Sequence, residues 1–188
     1  MHCLPSERTF LPLPLQHATP IPSVPRGSSV AARAKERQRL RAVDRTRLLD
    51  SGDEERFDRL TRLAQQSFGV LSAVISLIGD DRQFLKSFVG PLPRNVAREF
   101  SVCDTTLQAE GGLVVPDLGS DARFRDNPFV VGPPFVRFYA GLPLRGPGGW
   151  FVGSMCILDT EPRILGLEDR TLLQCLAQEA ELELNRGT

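Results

Sequence analysis

Histidine is almost missing from this 188-residue sequence, and both copies, His2 and His17, stand near its start. A folded region downstream of them therefore contains no imidazole. That excludes a histidine-ligated haem or zinc in its core, a Ser–His or Cys–His nucleophile pair and a phosphoacceptor histidine. Cysteine is sparse too: Cys3, Cys103, Cys156 and Cys175 have neither framework nor metal-ligand spacing. Free thiols in a reducing cytoplasm are the simplest reading. Net charge is lacking as well, with 23 basic residues against 23 acidic ones, so no whole-chain field draws in nucleic acid or a membrane. No apolar run suffices to span a bilayer. The run Phe10–Leu15 is broken by Pro12 and Pro14 and makes no secretory signal. Lysine is reduced to Lys35 and Lys86, a bias toward arginine read as codon usage before function.

The length suits one domain and a tail. Residues 1–30 hold six of the 15 prolines and no hydrophobic period, a composition that cannot offset its ordering entropy, so this tail is expected to be disordered. One domain is expected over residues 31–188, with its core at about 50–185. It opens with a helical pattern in which Arg33–Arg47 carries seven basic and two acidic residues around Leu40, Val43 and Leu48. A nucleic-acid arm is one reading; a solvated or dimer-forming helix face is preferred.

Ser51-Gly-Asp-Glu54 spells a capping box, with the serine oxygen on one orphan N–H and Glu54 reaching back. Phe57, Leu60, Thr61, Ala64 and Phe68 then follow at helical spacing. Val70–Ile78 and Gln83–Val89 predict a hairpin across the turn at Gly79-Asp80-Asp81. Ser101-Val-Cys-Asp104 is a second capping box, opening a short helix to about Gln108. Leu113–Leu118 reads as a strand, 120–135 as an irregular cover with at most a turn or two of helix. Val136–Arg145 and Trp150–Asp159 are strands around Gly146-Pro-Gly-Gly149, and a last amphipathic helix runs from about Leu167 to Asn185. The order ααββαβββα predicts an α+β fold, an antiparallel sheet with helices outside it.

Several blocks resemble the GAF domain family, especially the branch often fused to diguanylate cyclases and sensor histidine kinases. They are Leu48–Asp50, Phe57–Leu60, Ile75–Ile78, Arg82–Phe84 with Lys86-Ser87, Phe100–Cys103, and the run from Val114 to Asp159 with Asp121–Pro128, Val136–Leu144 and Val152–Asp159. The resemblance covers about Arg39 to Leu184. It implies a GAF/PAS-like central antiparallel sheet, with the N- and C-terminal helices on one face and a short helix and loop cover on the other. Departures matter as well. Where many relatives place a histidine after the position of Cys103, this chain has Asp104, Thr105 and Thr106, so bilin attachment is disfavoured. The Asn-Lys-Phe…Asp-Glu signature of cyclic-nucleotide-binding relatives is missing.

In such sheets one face packs on the terminal helices and the other lines a ligand cavity. Alternation sets Val136, Phe138, Ala140, Leu142 and Leu144 against Arg137, Tyr139 and Gly141, and Ser154 and Cys156 against Met155 and Ile157. The polar set Ser72, Ser76, Arg137, Tyr139, Ser154 and Cys156 is assigned to the cavity side. The candidate ligand-binding residues are Cys103, Asp104, Thr106, Asp117, Phe124, Arg137, Tyr139, Ser154 and Cys156. Cys103, in the first turn of a capped helix, has a thiolate-favouring position that Asp104 opposes; a buried structural thiol is the preferred reading. Arg137 could clamp an anion, but pairing with Asp117, Asp121 or Asp126 is preferred. Trp150 is expected to pack.

The resemblance implies a cytoplasmic, non-enzymatic sensory or regulatory protein that binds an unidentified small molecule. It is expected to be a homodimer through its first and last helices, acting on a partner protein in trans, with no nucleic acid, membrane, metal or nameable cofactor. One rival is a redox enzyme of the free methionine sulfoxide reductase type, for which Cys103 and Cys156 would serve only if their sulfurs come within disulfide reach. The other is a ligand-free dimerisation scaffold.

Overall fold

A computed structural model describes residues 29–186; the proline-rich segment lies outside the described residues but for its last two, as do His2, His17 and Cys3. Helix α1 (Val30–Thr46) begins where Ser29 Oγ accepts the Ala32 N–H. It buries Ala42, Val43, Thr46 and the stem of Arg39, while its other basic side chains stay exposed. Helix α2 (Glu55–Phe68) buries Phe57, Leu60, Thr61 and Ala64, the face its periodicity predicts.

The expected capping box at Ser51–Glu54 does not form. Glu54 is the N-cap and makes no side-chain cap bond, while Ser51 Oγ donates to the Leu48 carbonyl at 2.8 Å. A buried ammonium competes for these acceptors. Lys86, only 1% exposed, donates to Ser51 Oγ and to the Glu54 carboxylate, both at 2.7 Å. A charge taken out of water this far must be paired and hydrogen-bonded, and that need outweighs one helix cap.

The sheet is antiparallel throughout, in the order β3-β2-β1-β6-β5-β4. Its strands are β1 (Ser72–Ile78), β2 (Arg82–Val89), β3 (Asn95–Ala97), β4 (Leu113–Val115), β5 (Phe138–Arg145) and β6 (Phe151–Asp159). The edge strand β3, three residues beyond Pro91 and Pro93, is absent from the sequence-based order. β1 and β6 run side by side at the centre, Ile75 opposite Met155. Gly153 on β6 makes the approach possible, because a Cβ there would run into the Ser76 carbonyl. Lys86 is the extra residue of a β-bulge: Ile75 faces Ser87 and Ser76 faces Leu85. Lys86 and Ser87 consequently both reach the helix side, where Ser87 Oγ meets Thr61 Oγ1 at 2.8 Å.

Helices α1, α2 and α5 (Leu167–Leu184) cover one face, over a core that includes Ile75, Leu77, Phe138, Met155 and Ile157. The other face carries a second core of Val74, Ile78, Leu85, Tyr139 and Cys156 beneath helix α3 (Val102–Thr106), the one-turn helix α4 (Pro128–Val131) and the loops around them. The expected α+β architecture is what the structure has. Val136 departs from its expected face and joins the cover-side core, because β5 starts only at Phe138 and alternation does not extend into the preceding loop. No helix among the described residues is long and apolar enough to cross a membrane.

Candidate functional site

The cover helix α3 sets the site. Ser101 is its N-cap and accepts the Asp104 N–H at 3.1 Å. The second half of that box is not made, since the Asp104 carboxylate instead takes Arg98 Nε at 2.9 Å. The helix ends at Thr106, one turn of backbone being all that the Ser101 cap starts. Its first turn points Cys103 at the sheet, where Cys103 Sγ lies 3.6 Å from Cys156 Sγ on β6.

Polar hydrogens converge on the Cys103 sulfur. Gln83 Nε2 donates to it at 3.2 Å and the Tyr139 hydroxyl at 3.4 Å, and Ser76 and Ser154, themselves 3.3 Å apart, stand close by. Gln83 is held in turn by Ser101 Oγ, which donates to its Oε1 at 2.6 Å. Tyr139 shares a 2.6 Å hydrogen bond with Thr106 Oγ1. The hydrogen bond with Cys156 lowers the Cys103 thiol from its ordinary 9.0 to about 6, burial opposes the shift, and the hydroxyls of Ser154, Tyr139 and Ser76 add to it. The same contact, with burial, pushes Cys156 up. Tyr139 is raised by burial first and by the neighbouring Cys103 second. The two directed donors, Gln83 Nε2 and the Tyr139 hydroxyl, both serve the Cys103 sulfur.

Beside this cluster lies a cavity of about 50 Å³. Val74, Leu85, Leu118, Val130 and Val136 form much of its wall, with Gln83, Cys103, Tyr139 and Cys156 at the sheet side and Phe100 and Asn127 on the cover. No Asp, Glu, Lys or Arg lines it. Its polar residues are already engaged: Asn127 donates to the Phe100 carbonyl at 2.8 Å and accepts the Phe129 N–H at 3.0 Å.

Of the candidate residues, Cys103, Tyr139 and Cys156 line this cavity; Thr106 lies behind Tyr139, and Ser154 lies beside Cys103. Phe124 is buried in the cover-side core without reaching the cavity wall, the Arg123 guanidinium 4.9 Å from its ring centre. Arg137 and Asp117 stand apart, joined by two bonds of 2.7 Å at the margin of the sheet. That pairing holds Asp117 well below the usual carboxylate range, the Arg137 bonds first, then Ser120. Gln83, Val130 and Phe129 were not among the candidates. Gln83 had a legible signal, a long amide inside an apolar strand; Val130 and Phe129 belong to an irregular segment whose facing no period reveals.

A polar chain leads from α3 to the first helix. Arg98 bonds Asp104 on one side, and on the other its NH1 reaches Glu36 Oε1 at 2.7 Å and the Gly79 carbonyl at 3.1 Å. Glu36 also takes two bonds of 2.8 Å from Arg39, whose NH1 donates to the Ile78 carbonyl at 2.9 Å. Burial raises the Glu36 carboxyl, but the bonds and charges of Arg39 and Arg98 outweigh it and bring it down to about 2. Among the described residues no group of three or more His, Cys, Asp or Glu is placed to hold a metal ion.

The profile of the GAF domain matches residues 53–184. A cyclic di-GMP phosphodiesterase of Pseudomonas aeruginosa is 38% identical over 128 residues, which are 68% of this chain and 22% of that protein, so the chain spans about a fifth of its relative's length. Among solved structures, the free methionine-R-sulfoxide reductase of Neisseria meningitidis superposes with a TM-score of 0.56 at 20% identity, over 85% of this chain and 94% of that one. The blue-light-absorbing PixJ GAF domain of Thermosynechococcus elongatus does so with a TM-score of 0.57 at 14% identity, over 81% and 88%. At such identities the structural likeness shows the fold. With the profile matched over most of its length, the chain belongs to the GAF domain family.

Proposed function

We propose that this GAF domain is a sensory or regulatory binding module whose cavity under α3 receives a small, uncharged and largely apolar molecule. The observation that carries this reading is the cavity wall, built mostly of aliphatic and aromatic side chains, without Asp, Glu, Lys or Arg, and with its amide groups bonded from within. An anionic ligand entering it would find no basic side chain and leave its charge without a partner, at a cost of several kcal/mol. Cys103, Tyr139 and Cys156 form the sheet side of the ligand site, with Thr106 and Ser154 holding them. Asp104 passes the event outward through Arg98 and Glu36 to α1.

In this reading the protein is cytoplasmic, forms a homodimer through α1 and α5, and acts on a partner in trans. The match to part of a cyclic di-GMP phosphodiesterase supports a setting in second-messenger signalling. Native mass spectrometry of the purified protein tests both points at once. A dimer carrying a small extra mass that organic solvent extracts is expected. A bare mass, together with no thermal stabilisation by a panel of small apolar compounds, would sink the ligand and leave a scaffold.

A further inference from the structure

Two buried thiols in contact, one of them ringed by hydrogen-bond donors, are more than cavity wall. A structural cysteine in an apolar core behaves as a small hydrophobe and lies among carbon atoms. Cys103 Sγ instead accepts from Gln83 Nε2 and the Tyr139 hydroxyl, at 3.2 and 3.4 Å, and touches Cys156 Sγ at 3.6 Å. Donors aimed at a sulfur stabilise its thiolate, the form that attacks electrophiles. Both sulfurs also border the cavity, so a small uncharged electrophile in it meets them directly.

We propose that Cys103 and Cys156 form a redox-active dithiol that a hydroperoxide, ROOH, converts into a disulfide joining α3 to β6. The Cys103 thiolate attacks the terminal oxygen of the peroxide. The O–O bond breaks, the electron pair leaves on RO⁻, and RO⁻ takes up the proton that Cys103 released, giving ROH and a Cys103 sulfenic acid. The Cys156 sulfur then attacks the Cys103 sulfur; the S–O bond breaks and the hydroxyl leaves with the Cys156 proton as water. Two thiols are oxidised by two electrons and one peroxide is reduced to an alcohol and water. The sulfurs must close from 3.6 Å to about 2.05 Å, which draws α3 toward the sheet and shifts Asp104 against Arg98. This site holds whether or not the cavity has a resident ligand.

The test uses the full chain and tert-butyl hydroperoxide, followed by alkylation of remaining thiols and peptide mapping without reductant. Expected is a linked Cys103–Cys156 peptide, lighter by two hydrogens and separated again by dithiothreitol, with loss of alkylation at both residues. In Cys156→Ser, Cys103 should be captured as a sulfenic acid by dimedone; in Cys103→Ser, Cys156 should not. If either variant fails to fold, the wild-type map decides alone. Cys103 and Cys156 remaining fully alkylated after peroxide, or a bridge to Cys175 instead, overturns the proposal. Free methionine sulfoxide at the same concentration should leave both thiols alkylated, because no basic side chain lines the cavity to hold its carboxylate. Disulfide formation with that oxidant in place of the peroxide overturns the hydroperoxide assignment and points to sulfoxide reduction.

Discussion

Gly141 lies beneath the Tyr139 ring, two residues along β5 on the same face, and a Cβ there would run into the Tyr139 hydroxyl and meet Cys156 Cβ at 3.0 Å. Gly141→Ala should therefore lift the phenol away from Thr106 and Cys103, destabilising the protein by about 1–3 kcal/mol in urea unfolding, the usual effect of overpacking. Tyr139 is the single tyrosine in the sequence, so its near-UV signal reports the displacement. Tyr139→Phe keeps the volume and removes the hydrogen bonds, for about 1 kcal/mol. An alanine variant as stable as the wild type, with the tyrosine spectrum unchanged, would show that the clash is relieved elsewhere.

Arg98 is the joint between elements, touching α3, the β1–β2 turn and α1 at once. Its replacement by alanine should speed hydrogen exchange in the first half of α1 and at the α3 N-terminus while leaving the sheet protected. Equal exchange in both proteins would break the proposed route from cavity to helix. Acid should have a related effect. Glu36 has a folded value near 2 against an ordinary 4.5, so its contribution to stability is complete above 4.5 and is lost as pH falls toward 2. Fluorescence-monitored acid unfolding should show that loss in the wild type and a smaller one in Glu36→Gln.

What the sequence disclosed is uneven at this scale for physical reasons. Helix α2, the central strands and the faces of Tyr139, Cys156, Phe138 and Met155 follow from periodicity, because a buried face repeats on the helix or strand interval. The capping box at Ser51 reads correctly in letters and fails in three dimensions, since a lysine 35 positions later takes the same serine. The bulge at Lys86 turns two successive side chains to one side, which alternation cannot show. Strand β3 is three residues long, too short for any period. The pairing of Arg137 with Asp117 was anticipated among three carboxylates, whereas the engagement of Gln83 with Cys103 depends on a turn of α3 that only tertiary contact fixes.

Among the described residues one sheet separates two layers of unequal character. The helix side is thick and continuous; the cover side is made of one-turn helices and loops around a cavity. Leu176→Ala on α5 should cost about 2–5 kcal/mol, as deletion from a close-packed core does. Val130→Ala on the cover should cost about 1 kcal/mol, and should mainly reduce the stabilisation that a cavity-bound compound confers. Comparing unfolding midpoints with and without such a compound checks both. If Val130→Ala proves as destabilising as Leu176→Ala, the division of labour between the two layers is wrong.

Helices α2 and α5 lie side by side, Arg56 NH1 on the Glu183 carbonyl at 2.6 Å and Arg59 on its carboxylate at 3.1 Å. Helix α2 leads into β1, and β6 leads through the loop 160–166 to α5, β1 and β6 being the two central strands. The polypeptide therefore enters and leaves the sheet through neighbouring doors. A fold built this way can be spliced between other lengths of chain at little structural disturbance, and any slippage of the middle strands is felt at both splice points together.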